Sequence, residues 1–101
     1  MGSLTGLTVV SKTANYTATL TDAMILVDAT GGAVTITMPA ATTPGQFYLI
    51  KKTDISINAV TISRAGADLL DGSTTVALAT QFSARILISD GTSRWYVFGV
   101  I

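Results

Sequence analysis

The 101-residue chain has no cysteine and no histidine, and its acidic residues are all aspartate, with no glutamate anywhere. Disulfides, thiol nucleophiles, imidazole triads and glutamate acid–base pairs are therefore excluded. Charge is scarce: six basic and six acidic residues cancel, and charged residues make up 12%, against roughly 25% in an ordinary soluble domain. A neutral chain without a basic cluster lacks the electrostatic footprint of a nucleic-acid binder. Lys51-Lys52 is the only basic pair, and it reads as a solvated strand edge that discourages unwanted pairing. No apolar run approaches the ~20 residues of a membrane-spanning helix. No basic-then-apolar leader opens the sequence, so neither membrane insertion nor classical export is expected.

What is present is β-forming. Hydrophobic residues make up 49% of the chain, and threonine and serine fill much of the rest. Tyr16, Ala18 and Leu20 alternate with polar residues, as do Val34, Ile36 and Met38, then Val60 and Ile62, then Val76 and Leu78. That period of two belongs to half-buried strands. Turn formers punctuate them: Asp28 with Gly31 and Gly32, Pro44-Gly45, Asp71-Gly72 and Asp90-Gly91. The Gly-Gly and Asp-Gly pairs suit tight hairpins and Pro-Gly a type II turn. Pro39 ends the "TITMP" strand because proline has no N–H for the ladder. The reading is all-β: an antiparallel β-sandwich or β-prism-like module of about nine to ten short strands, without a helix. Residues 1–6 are taken as a flexible N-terminus or tag remnant and 7–101 as a single β domain.

Two features go beyond this grammar. "DATGGAVTIT" from Asp28 returns twenty-six positions later as "DISINAVTIS" from Asp54, and the same step reaches Ile86 and Ile88. This suggests a repeated β unit, with chance alternation as the competing explanation. In addition, "AMILV", "FYLI", "RILI" and "RWYVFGVI" are apolar at consecutive positions, so both faces of those strands need cover. A two-layer sandwich covers only one face of each sheet. Other copies of the chain are the expected cover, and the interface residues are read as Ile25, Val27, Phe47, Leu49, Ile86, Ile88, Trp95, Val97, Phe98 and Ile101. Replacing Val34 and Val60 with aspartate is expected to abolish the oligomer.

Chemistry is thin. Asp28, Asp54, Asp71 and Asp90 sit in turn-like contexts, where a carboxylate caps nearby backbone N–H groups. Asp68 and Asp71 form the closest acidic pair but lack the spacing of a calcium loop. Asn15-Tyr16-Thr17 matches a glycosylation sequon that reads as coincidence. Trp95 and Tyr96 have the chemistry to stack on a sugar, yet their apolar strand favours core or subunit interface. No catalytic, cofactor-binding or metal-binding residue is assigned.

The ordered series Tyr16-Thr17, Asp22, Ile25–Asp28, Thr35–Ala40, Gly45–Lys51, Val60–Ile62, Leu70–Gly72 and Ser89–Trp95 resembles a small β module of tailed-bacteriophage virion proteins. Such modules occur in tail fibres, tips, head fibres and capsid decoration proteins. Met38 and Leu70 stand where that pattern more often has leucine and isoleucine. The resemblance implies a non-enzymatic homotrimer on the surface of a phage particle, made in the bacterial cytoplasm. Its partners would be its own copies, other virion proteins and a host-surface glycan or protein. A tail-fibre or tip module is the first expectation, a capsid decoration or head-fibre protein the second, and a carbohydrate-binding module a more remote third.

Overall fold

The computed structural model describes residues 8–99. Its ten strands are β1 (Val9–Lys12), β2 (Tyr16–Thr17), β3 (Met24–Val27), β4 (Val34–Thr37), β5 (Phe47–Lys52), β6 (Val60–Ser63), β7 (Leu69–Leu70), β8 (Thr75–Leu78), β9 (Ala84–Ser89) and β10 (Arg94–Phe98). The described residues contain no helix. Six strands form one sheet in the order β1-β3-β5-β9-β10-β7, and four form another in the order β2-β4-β6-β8.

Both sheets are mixed, which corrects the expected antiparallel arrangement. Strands β1, β3 and β5 run parallel, as do β2, β4 and β6. The β7/β10 pair is also parallel, while β9 runs antiparallel to β5 and β10, and β8 to β6. The cause lies in the turns. From β1 to β9 each successive strand lies in the opposite sheet, so the Thr30–Gly32 turn arches from β3 to β4 across the core instead of closing a hairpin. At Asp71-Gly72 the tight turn does form, with Leu70 and Ser73 exchanging both backbone bonds. The chain then crosses to the other sheet. Only β9 and β10, joined at Asp90-Gly91, are consecutive strands paired in one sheet.

The sequence echo is one turn of this coil. Val34 lies beside Val60, Thr35 beside Thr61 and Ile36 beside Ile62 in the β4/β6 register. The further step to Ile86 and Ile88 has no such meaning, because β9 belongs to the other sheet.

One core fills the space between the sheets. Ile25, Val27, Tyr48, Ile50, Leu87 and Trp95 enter from the larger sheet, and Val34, Ile36, Val60, Ile62 and Leu78 from the smaller. Complete burial of each such side chain contributes roughly 1.5–3 kcal/mol. Trp95 meets the Tyr48 ring edge-on, with centroids 5.4 Å apart. Its indole N–H donates to the Pro39 carbonyl at 3.2 Å, and the Tyr48 hydroxyl donates to the Thr19 carbonyl at 2.7 Å. Both aromatics thereby satisfy their polar ends while buried.

Candidate interaction surface

Because side chains alternate across a strand, the buried set defines its opposite. On β5 the residues facing the core are Tyr48, Ile50 and Lys52, so Phe47, Leu49 and Lys51 face outward. The strand register assembles the outward residues of the larger sheet into rows. Val9, Met24, Leu49, Ile86 and Phe98 stand side by side across β1, β3, β5, β9 and β10. Ser11, Leu26, Lys51 and Ala84 form a second row, and Phe47, Ile88 and Tyr96 a third. With strands about 4.8 Å apart and same-face residues about 6.8 Å apart, these rows cover on the order of 390 Å². Ser11 and Lys51 interrupt the second row, and the whole falls within the roughly 300–600 Å² of the largest patch on a typical monomer, a size that is often functional.

The smaller sheet shows the opposite chemistry. Its outward rows are Thr17, Thr37, Ser63 and Thr75, then Thr35, Thr61 and Ala77. Hydroxyl side chains suit a solvated strand surface, so the two outer faces differ in kind.

The apolar face carries no carboxylate. The aspartates are engaged elsewhere, as acceptors for backbone N–H groups. Asp90 Oδ1 takes the amides of Thr92, Ser93 and Arg94 at 2.8, 3.0 and 3.1 Å, which holds its carboxyl below the ordinary value. Asp28 Oδ1 takes the Thr30 amide at 2.9 Å, and the Thr30 side chain and amide together lower the Asp28 pKa. Desolvation pulls the Asp22 carboxyl upward, but bonds from the Thr19 amide and the Tyr16 hydroxyl outweigh it. The Tyr16 hydroxyl is raised in turn by that bond.

Three aspartates tie one turn of the coil to another. Asp54 Oδ1 accepts the Ala29 amide at 2.7 Å, Asp68 Oδ2 the Ala41 amide at 2.8 Å, and Asp71 Oδ1 the Val97 amide at 3.0 Å. Asp54 also pairs with Lys52, Nζ to Oδ2 at 2.7 Å, and takes the Ser56 amide at 3.0 Å and the Ser56 hydroxyl. Burial acts to raise its pKa, but these donors prevail and hold it well below the ordinary carboxylate range. Lys52 is fully buried, so the Lys51-Lys52 pair is not a solvated edge. Alternation sends one lysine outward and the other to this carboxylate.

Gln46 N–H donates to the Thr43 carbonyl at 3.2 Å around Pro44-Gly45, and Gly45 takes φ 75°, as the third residue of a type II turn requires. Gly91, at φ 86°, packs so close to Pro44 that a Cβ there would lie 2.4 Å from Pro44 Cγ. Gly31 and Gly32 lie in the β3–β4 arch and Gly72 in the β7–β8 turn.

The expected interface residues divide. Phe47, Leu49, Ile86, Ile88 and Phe98 lie on the apolar outer face. Ile25, Val27 and Trp95 are fully buried in the subunit's own core and have no surface left for a partner, and Val97 packs against that core. Ile101 lies outside the described residues. Val34 and Val60 are core residues as well, so aspartate there attacks the fold and cannot report on assembly. Burial also removes Trp95 as a sugar platform. Sequence reading missed Val9, Met24 and Leu26 on the face, although in "MILV" the alternation offers Met24 and Leu26 as the complement of Ile25 and Val27. Four more apolar side chains stand exposed in loops: Leu20, Ile55, Ile57 and Phe82.

Among the described residues no three His, Cys, Asp or Glu side chains cluster as a metal site, and no helix is long and apolar enough to cross a membrane. Comparison with protein-family models finds no match to this chain, and comparison with curated proteins finds none either.

Proposed function

We propose that this chain is a non-enzymatic structural module of a tailed-phage virion, assembling as a homotrimer with the outer face of its six-stranded sheet turned toward the threefold axis. One observation carries the self-association: the unbroken apolar row Val9, Met24, Leu49, Ile86 and Phe98 across five strands. Leaving such a row in water forfeits burial worth roughly 25 cal/mol per Å², and a copy of the same chain offers a matching apolar row. The motif series from Tyr16 to Trp95 supports the virion setting and the number three. In this reading the hydroxyl-rich sheet and the loops face solvent, where a host-surface glycan or protein meets a tail-fibre or tip module.

The test is the solution mass. Light scattering coupled to gel filtration is expected to give three times the 10.4 kDa chain mass, and a monomer at every concentration would sink the proposal. Gold-labelled antibody on intact particles is expected at the tail; label on the head would move the assignment to a capsid decoration protein.

A further inference from the structure

Phe82 is an exposed aromatic in a backbone conformation that suits glycine. Its φ is 67°, and only one other non-glycine residue, Asp71, shares a positive φ among those described. Aspartate tolerates that region, whereas a bulky side chain there is a genuine outlier. The geometry is imposed by the turn Thr80–Ser83, where the Ser83 amide donates to the Thr80 carbonyl at 3.1 Å. Phe82 occupies the third position of that turn, which glycine or asparagine normally fills when φ is positive. The Phe82 amide is itself fixed to the Lys52 carbonyl at 2.8 Å, so the strain has no easy release.

The core does not hold the ring in this position. Phe82 is 54% exposed, and its ring lies 5.3 Å from Lys51 Nζ. It forms one wall of a groove of about 370 Å³ on the outer face, together with Leu49, Lys51, Ala84, Ile86 and Phe98. Three of these, Leu49, Ile86 and Phe98, belong to the long apolar row. A strained aromatic beside a ready apolar surface is costly to the free subunit on both counts, which is how contact residues differ from folding residues.

We infer that Phe82 is an anchor of the self-association surface, held in strained geometry so that its ring and the groove beside it close on a second copy of this chain. The inference rests on the trimer proposed above and deepens it. The flat rows span on the order of 390 Å², while a stable interface takes about 800 Å² per partner. The Phe82 wall extends the surface where the rows end, continuous with them, so the same copy that covers the rows reaches the ring.

The test uses Phe82→Asn and Phe82→Gly in the full chain. Both remove the ring and both accept positive φ. Sedimentation equilibrium over a dilution series is expected to show association weakened at least tenfold. The thermal midpoint of the dissociated subunit, taken at high dilution, is expected to hold or rise. Association unchanged in both variants while the wild type is trimeric would overturn the role of Phe82 and leave the trimer standing. A lower midpoint for both dissociated variants would make Phe82 a folding residue and overturn the inference equally. A wild type that never associates would remove the trimer and this inference together.

Discussion

Replacing Ile86 and Phe98 with threonine asks whether the apolar row drives assembly without serving the fold. The two are neighbours in the β9/β10 register and are 38% and 52% exposed. Full burial of such side chains is worth roughly 1.5–3 kcal/mol each, so the exposed fractions leave about 1.4–2.7 kcal/mol per subunit to be gained on docking. Threonine keeps one methyl group and the β-branched shape suited to a strand, so about half of that is lost. Over three subunits the loss is roughly 2–4 kcal/mol, or about 30- to 1,000-fold in the trimer constant. Because three subunits combine, the assembly midpoint rises as the square root of that factor, roughly 5- to 30-fold. Sedimentation equilibrium across a dilution series reads this shift directly. The dissociated subunit should keep its stability to within about 1 kcal/mol, since surface substitutions away from special geometry usually act weakly. Thr61→Ala on the hydroxyl face serves as the control and should leave the midpoint in place. A double variant whose midpoint stays within a factor of two of the wild type would refute the assignment of this face.

Gly91→Ala should destabilise the fold. Positive φ alone costs a residue with a Cβ about 1–2 kcal/mol, and the overlap with Pro44 Cγ adds to it; urea unfolding monitored by tryptophan fluorescence measures the loss. Stability should also fall in acid. Asp22, Asp28, Asp54 and Asp90 all have carboxyls lowered from the ordinary 3.8, so their contribution is complete above that value and is lost as pH falls through the lowered ones. Thermal midpoints should therefore hold from about pH 8 to pH 5 and drop below about pH 4. Asp54→Asn, which leaves Lys52 buried without its counter-charge, should lower the neutral midpoint and flatten the acid limb. An acid limb as steep as that of the wild type would show that Asp54 is not its main source.

Much of the β character was legible because it is local. Alternation at Val34–Met38 and Val60–Ile62 is a property of consecutive residues, and so is the turn chemistry of Pro44-Gly45 and Asp90-Gly91. The apolar outer face was legible too, since "AMILV", "FYLI" and "RILI" place apolar groups on both sides of any strand. The reading failed where the deciding contact was distant. Gly31-Gly32 makes a turn wherever the chain goes next, and nothing local says whether the following strand pairs beside β3 or crosses the core. The same holds for Ile25 and Val27 against Met24 and Leu26. Both pairs are apolar, and only the position of the opposing sheet selects the buried one.

By itself, then, the sequence determined an all-β chain, most of its turns, the absence of histidine and cysteine chemistry, and an excess of apolar surface. The tertiary structure decided that the strands coil in parallel, that "AVTI" stacks on its own echo, and that Asp54, Asp68 and Asp71 bind one turn of the coil to another. It also decided that Trp95 belongs to the core while Met24, Leu49, Ile86 and Phe98 share one open face. The reason is the range of the forces involved. Backbone preference and alternation act within a few residues, whereas the hydrogen bonds that order these sheets join residues such as Val34 and Ala59, whose partnership exists only once the chain has gone round.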